Sequence, residues 1–440
     1  MLNFNYIILS LAFVSSLLYS QEEFVNDSYC GSDDVVNIKS IKYPWYKQSV
    51  DNTFQRALEY SESSALNRDI VFEVPVVFHI VYNTDEQNLS DDVIQSQLAA
   101  LNEDFRRLNE NASNTRDFFL PFAGDPQIEF YLATEDPDGN PTTGITHTYT
   151  NRSGFPYLDF ADLFTGDISL DQVKSSETGG VDAWDTYRYM NIWVCNIEDS
   201  FLGQVLGFAY PPIDVQDALD SLDYDTVPDW SSFEGALSNL DLQGIVLHYP
   251  VVGPNNPQAD DDGIYGNEFG KTLVHETGHF LGLRHIWGDA LLGGGCSVDD
   301  GISDTPNQEV ASNFVCDFDQ DTCSDGANDL PDMVENYMDY SSDECMNMFT
   351  NNQRTVMRAI LELARPGLIE EQVNNEECLL YGDVNGDGYV NIQDVIITVN
   401  TILDPLIENI CTSDFNSDGS INVQDIILIV NEILGSVSTN

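Results

Sequence analysis

Three histidines and a glutamate stand in the pattern His275-Glu276-x-x-His279-x-x-Gly282-x-x-His285. On a helix, histidines four apart leave the same face one turn from each other, which suits two nitrogen ligands on one tetrahedral ion. Gly282 can take the left-handed conformation that ends a helix sharply, so that the turned chain delivers His285 as a third ligand from another direction. Three nitrogens leave one coordination position open, which separates catalytic zinc sites from structural ones. Glu276 reaches that position beside the first ligand. A zinc-bound water there has its pKa lowered to about 7, and Glu276 would take its proton as general base and pass it to a leaving amine. The five-residue core alone also fits two surface histidines on an ordinary helix; five fixed positions make that alternative a poor one.

A second constellation lies near the C-terminus and occurs twice. Oxygen-bearing side chains fall at loop positions 1, 3, 5, 9 and 12: Asp383, Asn385, Asp387, Asn391 and Asp394 in one copy, Asp414, Asn416, Asp418, Asn422 and Asp425 in the other. Gly388 and Gly419 stand at position 6, where the loop turns sharply, and Tyr389 and Ser420 at position 7 would offer backbone carbonyls. This is the calcium-loop arrangement of the EF-hand, and each loop is expected to hold one Ca²⁺. The ligand at position 12 is Asp rather than Glu, and a single apolar helix follows each loop (395–403 and 426–434).

The elements that must position the histidines read as a mixed α/β or α+β unit. Residues 70–82 form a β-rich, half-alternating run, and Val93, Ile94, Leu98, Leu101, Phe105 and Leu108 repeat at helical spacing. Strands are expected at 128–133, 190–197 and 244–249, and a sheet built from them would back a long helix starting near Phe269. The stretch from Cys296 to Cys345 is rich in Asp, Asn and Gly, and a last helix is expected from Asn352 to Leu363.

The 440 residues carry 74 acidic and 16 basic side chains, a net charge of −58, which disfavours nucleic acid as a partner. The uncharged apolar run from Leu2 to Tyr19, followed by a polar segment from Gln21, reads as an export signal over residues 1–20. No later segment is apolar for long enough to span a membrane, so the chain is expected to be secreted, with no membrane span after signal removal. Eight cysteines and no CxxC pair fit disulfides in an oxidising compartment, and Cys378 and Cys411 bracket the calcium-loop module as an expected bridge.

Around the histidines the chain resembles the metzincin metallopeptidases, and more narrowly the pappalysin-like group, over roughly residues 70–365. The resemblance rests on 275–285 with Ile286-Trp287-Gly288-Asp289, on Asn336-Tyr337-Met338-Asp339-Tyr340, and on the segments 101–106 and 244–249. It implies a secreted zinc endopeptidase with one catalytic Zn²⁺, Met338 in a methionine turn beneath the metal, and Tyr340 as a donor to the tetrahedral intermediate. It also implies cleavage on the amino side of Arg or Lys (P1′) through Asp343, and the bridges Cys296–Cys323 and Cys316–Cys345. The loop 299–305 resembles one that holds further calcium beside the active site. The paired C-terminal loops resemble a type I dockerin, which implies a cohesin-like or surface partner, although the following helices lack basic contact residues.

These readings divide the chain into a signal peptide (1–20), a propeptide (21–68), a metallopeptidase domain (69–368), a linker (369–377) and a dockerin-like domain (378–440). The propeptide contains Cys30-Gly31-Ser32-Asp33-Asp34, which offers a thiolate or carboxylate to the open zinc position, and cleavage near Arg68 would then activate the enzyme. The competing reading pairs Cys30 with Cys195 or leaves it unpaired. His79, His147 and His248 are read as structural. The rival function from another class is a non-catalytic, calcium-dependent adhesion or assembly protein with a vestigial zinc site. A zinc hydrolase acting on something other than peptides is a second rival. The intact Glu276 argues against the first, and Met338 and Tyr340 against the second.

Overall fold

The structure, a computed structural model, describes residues 28–62, 70–200, 203–213, 242–259, 269–289, 295–324, 326, 329–369, 382, 384, 390–403, 413, 415 and 421–433. The signal segment, Arg68, Cys378, Cys411 and loop ligands 383, 385, 387, 389, 414, 416, 418 and 420 lie outside the described residues.

A twisted mixed sheet organises the molecule. Its strands are β1 (Ser28–Cys30), β2 (Phe72–Tyr82), β3 (Ile128–Leu132), β4 (Ile145–Tyr149), β5 (Met190–Cys195), β6 (Gln204–Ala209) and β7 (Ile245–His248). The order is β1-β6-β7-β5-β2-β3, and β4 continues β3's side of the long strand β2. All pairings are parallel except β6 with β7. Alternation sends successive side chains to opposite faces. Val76, Phe78, Ile80, Ile192, Val194, Ile245 and Leu247 enter one core, whereas Val81, Trp193, Cys195, Val205, Phe208 and Val246 enter another.

The first core is covered by α3 (Asp91–Phe105), α4 (Lys271–Phe280) and α5 (Asn351–Leu363). The second is covered in part by α1 (Ser32–Lys42), which contributes Val35 and Ile38. A further helix, α2 (Tyr46–Glu62), sends Phe54 and Ala57 into the first core. The polar segment before residue 70 therefore folds as one strand and two helices seated on the catalytic half, which its composition did not reveal. Helices α6 (Ile392–Leu403) and α7 (Val423–Ile433) follow the two acidic loops and pack on each other. No helix among the described residues is long and apolar enough to cross a membrane.

Candidate active site

Helix α4 begins after Gly270, which sits at φ 74°, and all ten of its residues are buried. The Asp343 carboxylate accepts hydrogen bonds from the Phe269 and Lys271 amides at 3.0 and 3.1 Å, covering orphan donors at the helix start. His275 and His279 face the same way one turn apart. The helix stops at Leu281, and Gly282 turns the chain at φ 87° with so little room that a Cβ there would meet Ile360 Cγ1 at 2.8 Å. The reversal brings in His285, fully buried.

The Nε2 atoms of His275 and His285 each lie 3.1 Å from that of His279. Each ring's other nitrogen is committed: Nδ1 of His275 bonds the Tyr337 carbonyl at 2.7 Å, that of His279 the Leu283 carbonyl at 2.9 Å, and that of His285 Asp289 at 3.0 Å. Because those partners are acceptors, Nδ1 carries the proton and three Nε2 lone pairs converge on one point. Neutral lone pairs crowded in this way have no donor between them, and a cation is what fits. The Cys30 Sγ stands beside them, and one ligand atom from each of the four residues lies within 4.8 Å of all the others, so that the four together could hold a metal ion. Burial and the neighbouring Glu276 push the Cys30 thiol up, so that only a cation beside it would hold it as thiolate. The donor set, three imidazoles and one sulfur, matches a closed tetrahedral zinc site.

Of the other residues chosen from the sequence, Met338, Tyr340, Glu276 and Asp343 gather here. Met338 lies beneath α4, its Sδ only 2.3 Å from where a Cβ on Gly278 would stand. The Tyr340 ring packs edge-on to His285 and Trp287, and Trp287 stacks on His285 at 4.5 Å. Its hydroxyl accepts from the Cys30 amide at 3.2 Å. Glu276 is fully buried, which raises its carboxyl to about 7 against the opposing effect of hydrogen bonds from Cys30 and Ser32. Cys30 and Cys195 are both unbridged and buried, and the pairs Cys296–Cys323 and Cys316–Cys345 are disulfides. In the loop 299–305, Asp300 accepts from the Ile302 amide and the Thr305 hydroxyl, both at 2.9 Å.

Ser32 carried no role of its own in the sequence reading, and Asp33, offered there as a carboxylate for the open zinc position, takes another place. Ser32 donates to Glu276 Oε2 at 3.1 Å and accepts from the Ala209 amide at 2.9 Å. Asp33 approaches His285 Nδ1 at 3.1 Å, sharing it with Asp289. Strand β6, which offers Gly207 O to the Gly31 amide at 2.9 Å, was also overlooked, because its continuous apolar run does not alternate. The position of Ser32 and Asp33 beside Cys30 in the chain was the one available signal. The other histidines serve the scaffold. His79 bonds Thr146 and Asn191, His147 bonds Asn88 and Asp91, and His248 Nδ1 accepts from the Ile197 amide.

Residues 257–362 match the family model described as pregnancy-associated plasma protein-A, a metallopeptidase family. The structure of mature mirolysin from Tannerella forsythia in complex with a cleaved peptide is 38% identical, with a TM-score of 0.54, and the match covers 69% of this chain and 98% of that one. This chain belongs to the pappalysin-like metallopeptidases. A structure of promirolysin from the same organism is 35% identical with a TM-score of 0.59, covering 78% of this chain and 96% of that one. An extracellular metalloprotease of Arthroderma benhamiae is 25% identical over 321 residues, 73% of this chain and 80% of its own length. As a pappalysin-like enzyme, the protein is a zinc metalloendopeptidase acting on peptide bonds. Residues 381–434 match the type I dockerin model, so a dockerin domain follows the peptidase.

Proposed function

We propose that this is a secreted endopeptidase in its latent form, in which residues 21–68 occupy the cleft that residues 69–368 provide for substrate. In this reading His275, His279 and His285 hold the zinc and Glu276 is the general base. A zinc ion held there supplies Lewis acidity and lowers the pKa of water to about 7. Glu276 takes a proton from the attacking water and returns it to the leaving amine, and burial at a pKa of about 7 suits a group that must do both. Tyr340 is placed beside the ligand rings to donate to the developing oxyanion once Cys30 withdraws.

The observation that carries this reading is the simultaneous seating of Cys30 on the three imidazoles and of Ser32 on the general base. Strand β1 adds to the edge of β6, so the latent chain uses the backbone groups that an extended peptide would use. The match to promirolysin runs over 78% of this chain against 69% for mature mirolysin, which supports a pro-segment; removal near Arg68 would open the cleft.

Asp343 borders the cleft with Thr272 and His275, and burial raises its carboxyl to about 7. A basic side chain reaching it would hold it ionised in a charge-assisted contact, which is the reason for proposing cleavage before Arg or Lys. In the C-terminal domain (378–440, after the linker 369–377) Asp394 accepts from the Val384 and Asn391 amides, and Asp425 from the Asn422 amide. Each closes its acidic loop onto the following helix, as a calcium ligand at that position would. Two Ca²⁺, a Cys378–Cys411 bridge and a cohesin-like or surface partner complete the proposal, and export by the 1–20 signal places the protein outside the cell.

The test is digestion of a mixed peptide library by activated, zinc-loaded protein beside Glu276→Ala and chelated controls. Cleavage before Arg or Lys that vanishes in both controls supports the assignment. Cleavage that survives Glu276→Ala would remove Glu276 as the base.

A further inference from the structure

The cleft around Asp343 contains a cation that ought to spoil it. Lys271 lines the same wall, and its backbone amide is already hydrogen-bonded to Asp343 Oδ2 at 3.1 Å. An ammonium free to bend toward that carboxylate would neutralise it and repel an incoming Arg or Lys. The side chain is instead turned the other way. Its Nζ meets both carboxylate oxygens of Asp104, on α3, at 2.6 Å each. Tyr337 donates to the same carboxylate at 2.6 Å, and the ion pair is sealed, with Asp104 2% and Lys271 7% exposed. Among the described residues Asp343 forms no ion pair, its partners being the two backbone amides. Of the other carboxylates bordering the cleft, Glu276 stands at the zinc site as the general base, and Asp339 is consumed by donors from Ser312, Gln308, Tyr340 and Ser341.

We infer that Asp104 is a specificity-determining residue: by holding Lys271 away from the cleft it leaves Asp343 uncompensated, and so sets the sign of charge that the cleft accepts. The inference rests on the proposed role of Asp343. It follows from charge counting within this trio, since Asp104 and Asp343 against Lys271 leave one net negative charge beside the pocket, whereas Asp343 against Lys271 alone leaves none. Asp104 does not touch the substrate and acts entirely through Lys271.

The experiment uses full-length protein, activated and zinc-loaded, with two peptides that differ only in Arg or Leu after the scissile bond. The readout is the ratio of their kcat/KM values within one preparation, so the fraction of folded enzyme cancels. Asp104→Asn releases Lys271 and is expected to lower the Arg/Leu ratio about tenfold or more, the scale of one charge-assisted hydrogen bond. Asp104→Asn combined with Lys271→Met removes both charges and is expected to restore the ratio, which loss of a merely structural ion pair would not do. Lys271→Met alone is expected to keep the ratio at or above that of the wild type, and it serves if Asp104→Asn fails to fold. An unchanged ratio in Asp104→Asn, a double variant that stays low, or a collapse in Lys271→Met alone would each overturn the inference. Asp343→Asn is run alongside: if it leaves the ratio unchanged, the basic preference itself is wrong, and the inference falls with it. If it collapses the ratio while Asp104→Asn does not, only the inference fails.

Discussion

Ser32→Ala should loosen latency without touching the metal ligands. Ser32 is 5% exposed, and its hydroxyl makes two bonds, donating to Glu276 Oε2 and accepting from the Ala209 amide. Alanine leaves the Ala209 amide buried and unpaired and leaves Glu276 with only the weak thiol donor of Cys30, at about 1–3 kcal/mol for each lost bond. Glu276 Oε1 already has no hydrogen-bond partner, so the variant strips the carboxyl of its remaining side-chain hydroxyl donor. Protonation of a group near pKa 7 relieves part of that penalty at neutral pH, which brings the total to roughly 2–4 kcal/mol against the closed form. At about 1.4 kcal/mol per factor of ten, the open fraction of the uncut zymogen should rise about 30- to 1000-fold. The assay is the initial rate of peptide cleavage by intact zymogen, verified uncut by mass spectrometry, for wild type, Ser32→Ala and Ser32→Thr. The threonine variant keeps the hydroxyl and should stay latent. Residual activity of Ser32→Ala within twofold of the wild type would refute the idea that the pro-segment restrains the general base as well as the metal.

Two further outcomes test the scaffold beneath the site. Gly278→Ala puts a Cβ 2.3 Å from Met338 Sδ, an overlap that should cost about 1–3 kcal/mol and exceed the helix-propensity gain of about 1 kcal/mol. Thermal melting should fall by a few degrees, and the same change made in a Met338→Ala background, itself destabilised by the cavity at that buried site, should cost less or nothing further; a stabilised single variant would contradict tight packing there. His79 is fully buried and its pKa is lowered to about 4 by that burial. The unfolded chain therefore binds more protons between pH 6.5 and about 4, and stability must fall as pH drops through that window, by on the order of 3 kcal/mol from this residue. A His79→Gln variant should show a flatter melting-temperature profile from pH 6.5 to 4 than the wild type, whatever its stability at neutral pH. Parallel profiles would show that His79 does not titrate across folding.

The spacing 275–285 alone implied a three-histidine ligand set, because helical periodicity and a glycine turn are local properties of the chain. Strand β2, helix α3 and the closing helix α5 were legible for the same reason, each carrying its own hydrophobic period. What only the tertiary structure decided is which distant groups meet those local motifs. Cys30 reaches the histidines across some 245 positions because β1 pairs with β6, and pairing between strands is not encoded within either one. Helices α1 and α2 escaped notice because their apolar residues are few and find their cover on the sheet of another segment. The choice of Lys271 between Asp104 and Asp343 is likewise invisible in the sequence. All three are acidic or basic residues in a chain rich in acids, and which two pair depends on the direction in which a buried side chain leaves its helix.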